Sequence, residues 1–91
     1  MIKIRLRKGY PKQYEELTEE DGELKKLIFK KVRLFEKNPD DSRLRNHALT
    51  RKMEGLWAFS ITDDIRIVYE WIGKQSVRFL AIGSHKEVYP K

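Results

Sequence analysis

The side chains able to do chemistry in this chain are few and crowd toward its second half. They are His47, Asp63, Asp64, Arg66, Arg78, His85, Lys86 and Tyr89. Two histidines far apart in sequence, with no cysteine beside them, make no zinc signature. No glycine-rich phosphate loop, serine elbow or dinucleotide fingerprint is present. A reaction without metal or cofactor is open to this set if the substrate is RNA, which carries its own nucleophile, the 2′-hydroxyl. Cleavage then needs a base for the hydroxyl proton, a cation for the charged phosphorane and an acid for the departing 5′-oxygen. One or two histidines, an arginine and a carboxylate or tyrosine can fill those roles.

The elements that position these groups read most clearly over residues 56–89. Trp57, Phe59 and Ile61, then Ile65, Ile67, Val68, Tyr69 and Trp71, then Val77, Phe79 and Ile82 form three aromatic and β-branched runs. Thr62-Asp63-Asp64 and Gly73-Lys74-Gln75 separate them, which predicts a three-stranded antiparallel meander. Upstream, Ile2, Ile4 and Leu6 alternate with Lys3, Arg5 and Arg7, a half-buried strand with one apolar and one basic face. Gly9-Tyr10-Pro11 breaks it, and a short helix over 11–17 would bury Tyr14 and Leu17. Thr18 and Asp21 read as a capping box. Leu24, Leu27, Ile28, Val32 and Phe35 then recur at helical spacing to Lys37, where Asn38-Pro39 ends the helix. Residues 40–45 form a charged loop, 47–49 a short edge strand and 51–55 a turn. The expected fold is α+β, ordered β-α-α-β-β-β with 47–49 as an additional strand. Both helices pack on one face of a mainly antiparallel sheet, and the other face is open. Residues 1–91 read as one domain.

Composition bounds the partners. The 91 residues hold 20 lysines and arginines against 14 acids, a net charge of +6. Lys25, Lys26, Lys30, Lys31, Arg33, Lys37, Arg43, Arg45, Arg51 and Lys52 cluster, opposed locally by Glu36, Asp40 and Asp41. A segregated basic surface suits RNA or an acidic protein, although a solvated helix face explains the same lysines. No apolar run has the length to span a bilayer. The opening MIKIRLRKG alternates charge with apolar residues and does not read as a signal peptide. The absence of cysteine excludes disulfides and thiol chemistry and fits a cytoplasmic protein.

At this point four stretches carry a resemblance. They are His47-Ala48-Leu49, Gly55-Leu56-Trp57, Ile61-Thr62-Asp63-Asp64-Ile65-Arg66-Ile67-Val68-Tyr69 and Ile82-Gly83-Ser84-His85-Lys86-Glu87-Val88-Tyr89. Together they resemble the RelE/YafQ group of bacterial toxins, within the RelE/ParE superfamily of type II toxin–antitoxin systems, and the element order matches the RelE-like fold. The resemblance implies a metal-independent mRNA endoribonuclease that enters the ribosomal A site, contacts mRNA and ribosomal RNA there, and is blocked by a cognate antitoxin. The products would carry a 2′,3′-cyclic phosphate, or its opened 3′-phosphate, and a 5′-hydroxyl.

Residue by residue, the resemblance implies His85 as general acid or base and Arg66 as the cation on the phosphorane. His47 and Asp64 match positions of a second acid–base or orienting pair, and Tyr89 a terminal aromatic that stacks on a base or orients the phosphate. Lys86, Arg78, Arg51 and Lys52 are the cations expected to bind substrate. The chain departs from the pattern twice. Phe59-Ser60 stands where YafQ-like members have a histidine and YoeB-like members arginines, and Ala81-Ile82 stands where YafQ-like members place an arginine. A structural reading accompanies each candidate. Arg66 could pair with Asp64 or Glu70, His47 could serve an edge strand, Asp63 a turn, and His85 an exposed loop beyond a strand. Trp57, Phe59, Tyr69 and Trp71 read as packing residues. On the same fold, the alternative function is a non-catalytic, ParE-like inhibitor of gyrase or an inactivated toxin homologue.

Overall fold

Alternating and helical hydrophobic periods along the chain resolve into ten short elements in the computed structural model, which describes residues 1–88. Strand β1 (Lys3–Leu6) leads into helices α1 (Tyr10–Thr18) and α2 (Gly22–Lys37). A 3-10 turn at Ser42–Leu44, strand β2 (His47–Ala48) and a second 3-10 turn at Arg51–Met53 follow. Strands β3 (Trp57–Ser60), β4 (Ile65–Gly73) and β5 (Ser76–Ser84) then end in a helical turn, α3 (His85–Val88). This is the α+β order the sequence predicts, including the edge strand at His47.

The sheet runs β1-β5-β4-β3-β2. Neighbours are antiparallel except β1, which lies parallel to β5 with Lys3 opposite Ser76 and Arg5 opposite Arg78. In-register partners share a face, so the basic side of β1 faces the same way as Arg78. Strand β5 carries one extra residue between the pairs Val68–Ala81 and Tyr69–Phe79. This bulge at Leu80 resets the alternation and lets both Phe79 and Ile82 face the core.

Helix α2 starts at Asp21, whose carboxylate accepts from the Leu24 N–H at 3.0 Å. The expected Thr18–Asp21 capping box does not form. Thr18 still belongs to α1, and its hydroxyl donates to the Tyr14 carbonyl at 2.8 Å. Asn38 closes α2 by donating to the Leu34 carbonyl. Both helices cover one face of the sheet. Phe35 stacks on Phe59 at 4.5 Å between centroids and meets Tyr69 edge-on at 5.0 Å. Tyr10 of α1 leans on Phe79. The opposite face presents Ala58, Ser60, Arg66, Val68, Glu70, Arg78, Ala81 and Gly83, by alternation and register. Among the described residues no helix is long and apolar enough to cross a membrane.

Candidate functional site

Polar groups converge where β3 turns into β4 and β5 ends. The turn is set by Thr62, whose hydroxyl oxygen accepts from the N–H of Asp64 at 3.1 Å and of Ile65 at 2.9 Å. Strand β4 then places Arg66 between Ser60 on β3 and Gly83 on β5. Arg66 Nη1 donates to Ser60 Oγ at 2.5 Å, and Nη2 donates to the Asp63 carbonyl at 2.9 Å. Both acceptors are neutral. Among the described residues no carboxylate pairs with Arg66, and its guanidinium has three further N–H groups beyond these two bonds.

The pairings that a purely structural Arg66 would make are therefore replaced. Glu70 instead accepts from Arg78 at 3.0 Å. Asp64 Oδ1 accepts from the backbone N–H of His85 at 3.4 Å, tying the β3–β4 turn to the start of α3.

His85 does not sit in a loop. Strand β5 continues through Ser84, and His85 is the first residue of α3. The reason is a reciprocal cap that sequence reasoning passed over, although the spacing Ser84-His85-Lys86-Glu87 signals it. Glu87 Oε1 accepts from the Ser84 N–H at 2.9 Å, and Ser84 Oγ accepts from the Glu87 N–H at 3.3 Å. The Ser84 N–H is the leading cause holding the Glu87 carboxyl below its ordinary value. Gly83 makes room for this arrangement, because a Cβ there would come within 3.2 Å of Glu87 Oε1.

His47 lies on the far side of Arg66, on edge strand β2 opposite Ala58. Its Nδ1 is 2.9 Å from the Arg45 carbonyl. A carbonyl only accepts, so Nδ1 carries the proton and a neutral ring keeps Nε2 as an acceptor. Arg45 is in the left-handed region (φ 52°) and reaches Asp63 at 3.5 Å. The loop before β2 and the β3–β4 turn are thus linked. Between the strands that lead to the histidines, this face of the sheet is built of small and medium side chains, Ala58, Val68 and Ala81, of which Ala58 and Val68 are buried.

The structure thus brings Arg66, Asp64 and the start of α3 at His85 to one end of the open face, with His47 two strands away from Arg66 on β2. Lys86 joins them on α3. Arg78 lies further along the same face, paired with Glu70 and beside Arg5. Arg51 and Lys52 are exposed in the turn before Trp57, at the opposite end of β3, and are not brought to the cluster. Tyr89 lies outside the described residues. Sequence reasoning missed Ser60 as an anchor for Arg66, and Lys3 and Arg5 as cations on this face. The alternation in β1 held the second signal, but the sheet order was needed to read it. Among the described residues no group of three histidine, aspartate or glutamate side chains could hold a metal ion.

The family model for YafQ, a bacterial toxin of type II toxin–antitoxin systems, matches residues 2–90. The chain belongs to the YafQ toxin family. No curated protein matches it. Among solved structures, it is similar to a metal-bound toxin from Helicobacter pylori, with 25% identity, 98% of this chain and 100% of that one covered, and a TM-score of 0.78. It shares the fold of the E. coli DinJ–YafQ complex (16% identity, 99% and 100% covered, TM-score 0.75). A YoeB/ParE toxin from Agrobacterium tumefaciens has it too (22% identity, 92% and 99% covered, TM-score 0.78). The mixed architecture of this YafQ-family toxin is therefore the RelE-like one, with Arg66 on its central strand beside the β3–β4 turn.

Proposed function

We propose that this YafQ-family toxin, a single domain over residues 1–91, is an endoribonuclease that cuts mRNA in the ribosomal A site. In this reading it works in the cytoplasm and is held inactive by a cognate antitoxin, as DinJ is found with YafQ in the E. coli relative. The observation that carries the reading is Arg66, a partly buried guanidinium anchored by two neutral oxygens, on a strand that has His85 just past the end of one neighbour and His47 two strands away on the other side.

In the reaction, His47 Nε2 takes the proton of the 2′-hydroxyl as its oxygen attacks phosphorus. The charge that builds on the phosphorane oxygens falls to Arg66. The bond from phosphorus to the 5′-oxygen breaks, and His85 gives that oxygen a proton. The products are a 2′,3′-cyclic phosphate and a 5′-hydroxyl, and the two histidines exchange protonation states. The RNA supplies the nucleophile and the three side chains supply base, cation and acid, so no step calls on a metal. Asp64 acts as a positioning residue through the backbone of His85. Lys3, Arg5, Arg78 and Lys86 extend a cationic track for the flanking phosphates.

Primer extension on mRNA translated by purified ribosomes tests this, with wild type beside His85→Ala. Cuts that require ribosomes and vanish in the variant are expected. A folded wild type that cuts nothing would shift the reading to the non-catalytic, gyrase-inhibiting type of toxin.

A further inference from the structure

The outward side of α2 carries a large apolar group with nothing over it. Phe29 is 66% exposed. On the helix, Phe29, Arg33 and Lys37 recur every four residues and share a face, with Lys30 and Leu34 beside them. Arg43 forms the opposite wall, and the groove between them holds about 320 Å³.

That wall is fixed in place. Arg43 Nε and Nη2 donate to the two carboxylate oxygens of Asp41 at 3.0 and 2.9 Å, and the Arg43 carbonyl accepts from Lys31 Nζ at 3.4 Å. The charges are unequal in their partners. Arg33 faces Glu36 at 3.9 Å and Arg43 is matched by Asp41. Lys30 and Lys37 have no acidic partner among the described residues. The groove therefore has an apolar floor and an uncompensated positive rim.

The geometry points to this groove as the docking site for an acidic amphipathic segment of the antitoxin. An apolar anchor seats against Phe29 and Leu34, and carboxylates meet Lys30 and Lys37. This deepens the toxin reading and rests on it. The stretch from Phe29 to Lys37 spans about 12 Å, a little over two turns, which suits a short helical segment with anchors on one face. RNA fits less well, because a strand of phosphates needs cations along its floor. Here the floor is Phe29 and Leu34 with cations at the edge, and the other cationic track lies on the open side of the sheet. Docking on α2 leaves that open face uncovered, so this segment acts as an anchor that raises the local concentration of whichever part of the antitoxin blocks the chemistry.

Isothermal titration of the purified toxin with the protein encoded in the adjacent reading frame tests the proposal. Phe29→Ala and the pair Lys30→Glu with Lys37→Glu are each expected to weaken binding at least about tenfold. Both sites are on the surface, so thermal unfolding should be unchanged, and Lys25→Glu, outside the groove, should bind as wild type does. Wild-type affinity in both groove variants would overturn the proposal. Variants that keep antitoxin affinity but lose ribosome affinity would reassign the groove to RNA and overturn it as well. If wild type neither binds nor is neutralised by the adjacent-frame protein, the toxin–antitoxin pairing itself fails, and the docking site with it.

Discussion

Asp64 holds the backbone of His85, accepting its N–H at Oδ1 over 3.4 Å. The contact joins two segments far apart in sequence at the one place where both carry candidate catalytic groups. It also gives Asp64 a role that needs its oxygen and not its charge. Asp64→Ala is expected to slow single-turnover RNA cleavage roughly tenfold, since small displacements of a reacting group are costly. Asp64→Asn keeps an acceptor and should recover most of the rate. Equal losses in both variants would mean that the carboxylate takes part in proton transfer.

Arg66 is the group whose replacement should cost most. Arg66→Lys retains a positive charge but lacks the planar fork that spans Ser60 and the Asp63 carbonyl. A loss of about a hundredfold in cleavage rate is expected for Arg66→Lys and more for Arg66→Ala. The two lost hydrogen bonds are each worth about 1 kcal/mol, so the domain stays folded. Cleavage kinetics beside urea unfolding would separate the effects. A fully active Arg66→Lys would remove the guanidinium from the mechanism.

Much of this was legible in the sequence because the deciding signals are local. Alternation gave the strands, the spacing of Leu24, Ile28, Val32 and Phe35 gave the long helix, and Asn38-Pro39 its end. What escaped depends on register or on competition between neighbours. Ser60 looks like an empty position in the strand, and only pairing with Arg66 makes it an anchor. Thr18 and Asp21 have capping-box spacing, yet Thr18 is already engaged within α1. The bulge at Leu80 hides the inward turn of Ile82 from any period-two reading. The basic face of β1 joins the site only because the first strand pairs with the last, a contact between opposite ends of the chain.

That pairing has a measurable consequence for RNA binding. Arg5 and Arg78 sit side by side in register, with Glu70 neutralising part of the charge. Each phosphate contact by a single strand contributes a slope of about −0.7 to the dependence of log affinity on log salt concentration. Arg5→Ala should therefore make the slope for a single-stranded RNA shallower by roughly that amount. Glu70→Gln, which releases Arg78, should steepen it. Slopes unchanged in both variants would place the RNA elsewhere on the protein.

The core should respond very differently from the open face. Phe35 has no exposed surface and touches the rings of Phe59, Tyr69 and Phe79. Phe35→Ala removes its burial and leaves a cavity between α2 and the sheet, at a cost of about 3–5 kcal/mol. For a domain this small that approaches the total stability. Urea unfolding should show a midpoint near zero or a chain already unfolded. A shift of less than about 1 kcal/mol would mean that the aromatic cluster does not hold α2 in place.

Alkaline pH should unfold the protein through its buried phenols. Burial is the main cause that pushes the Tyr69 hydroxyl from 10.0 up to about 12, and Tyr10 is raised for the same reason. An unfolded chain ionises its tyrosines near pH 10, while the folded one keeps these two protonated. Stability from this source is therefore whole below pH 10 and is lost as pH climbs toward 12. Tyr69 also donates to Asn46 at 2.6 Å. Tyr69→Phe should cost about 1 kcal/mol at neutral pH, from the lost bond and the acceptor left behind. It should also flatten the decline between pH 10 and 12, because one of the two late-titrating groups is gone. Urea midpoints at pH 8, 10 and 11 for both proteins measure this. Parallel declines in the two would show that Tyr69 ionises as freely folded as unfolded, against its buried position beside Phe35.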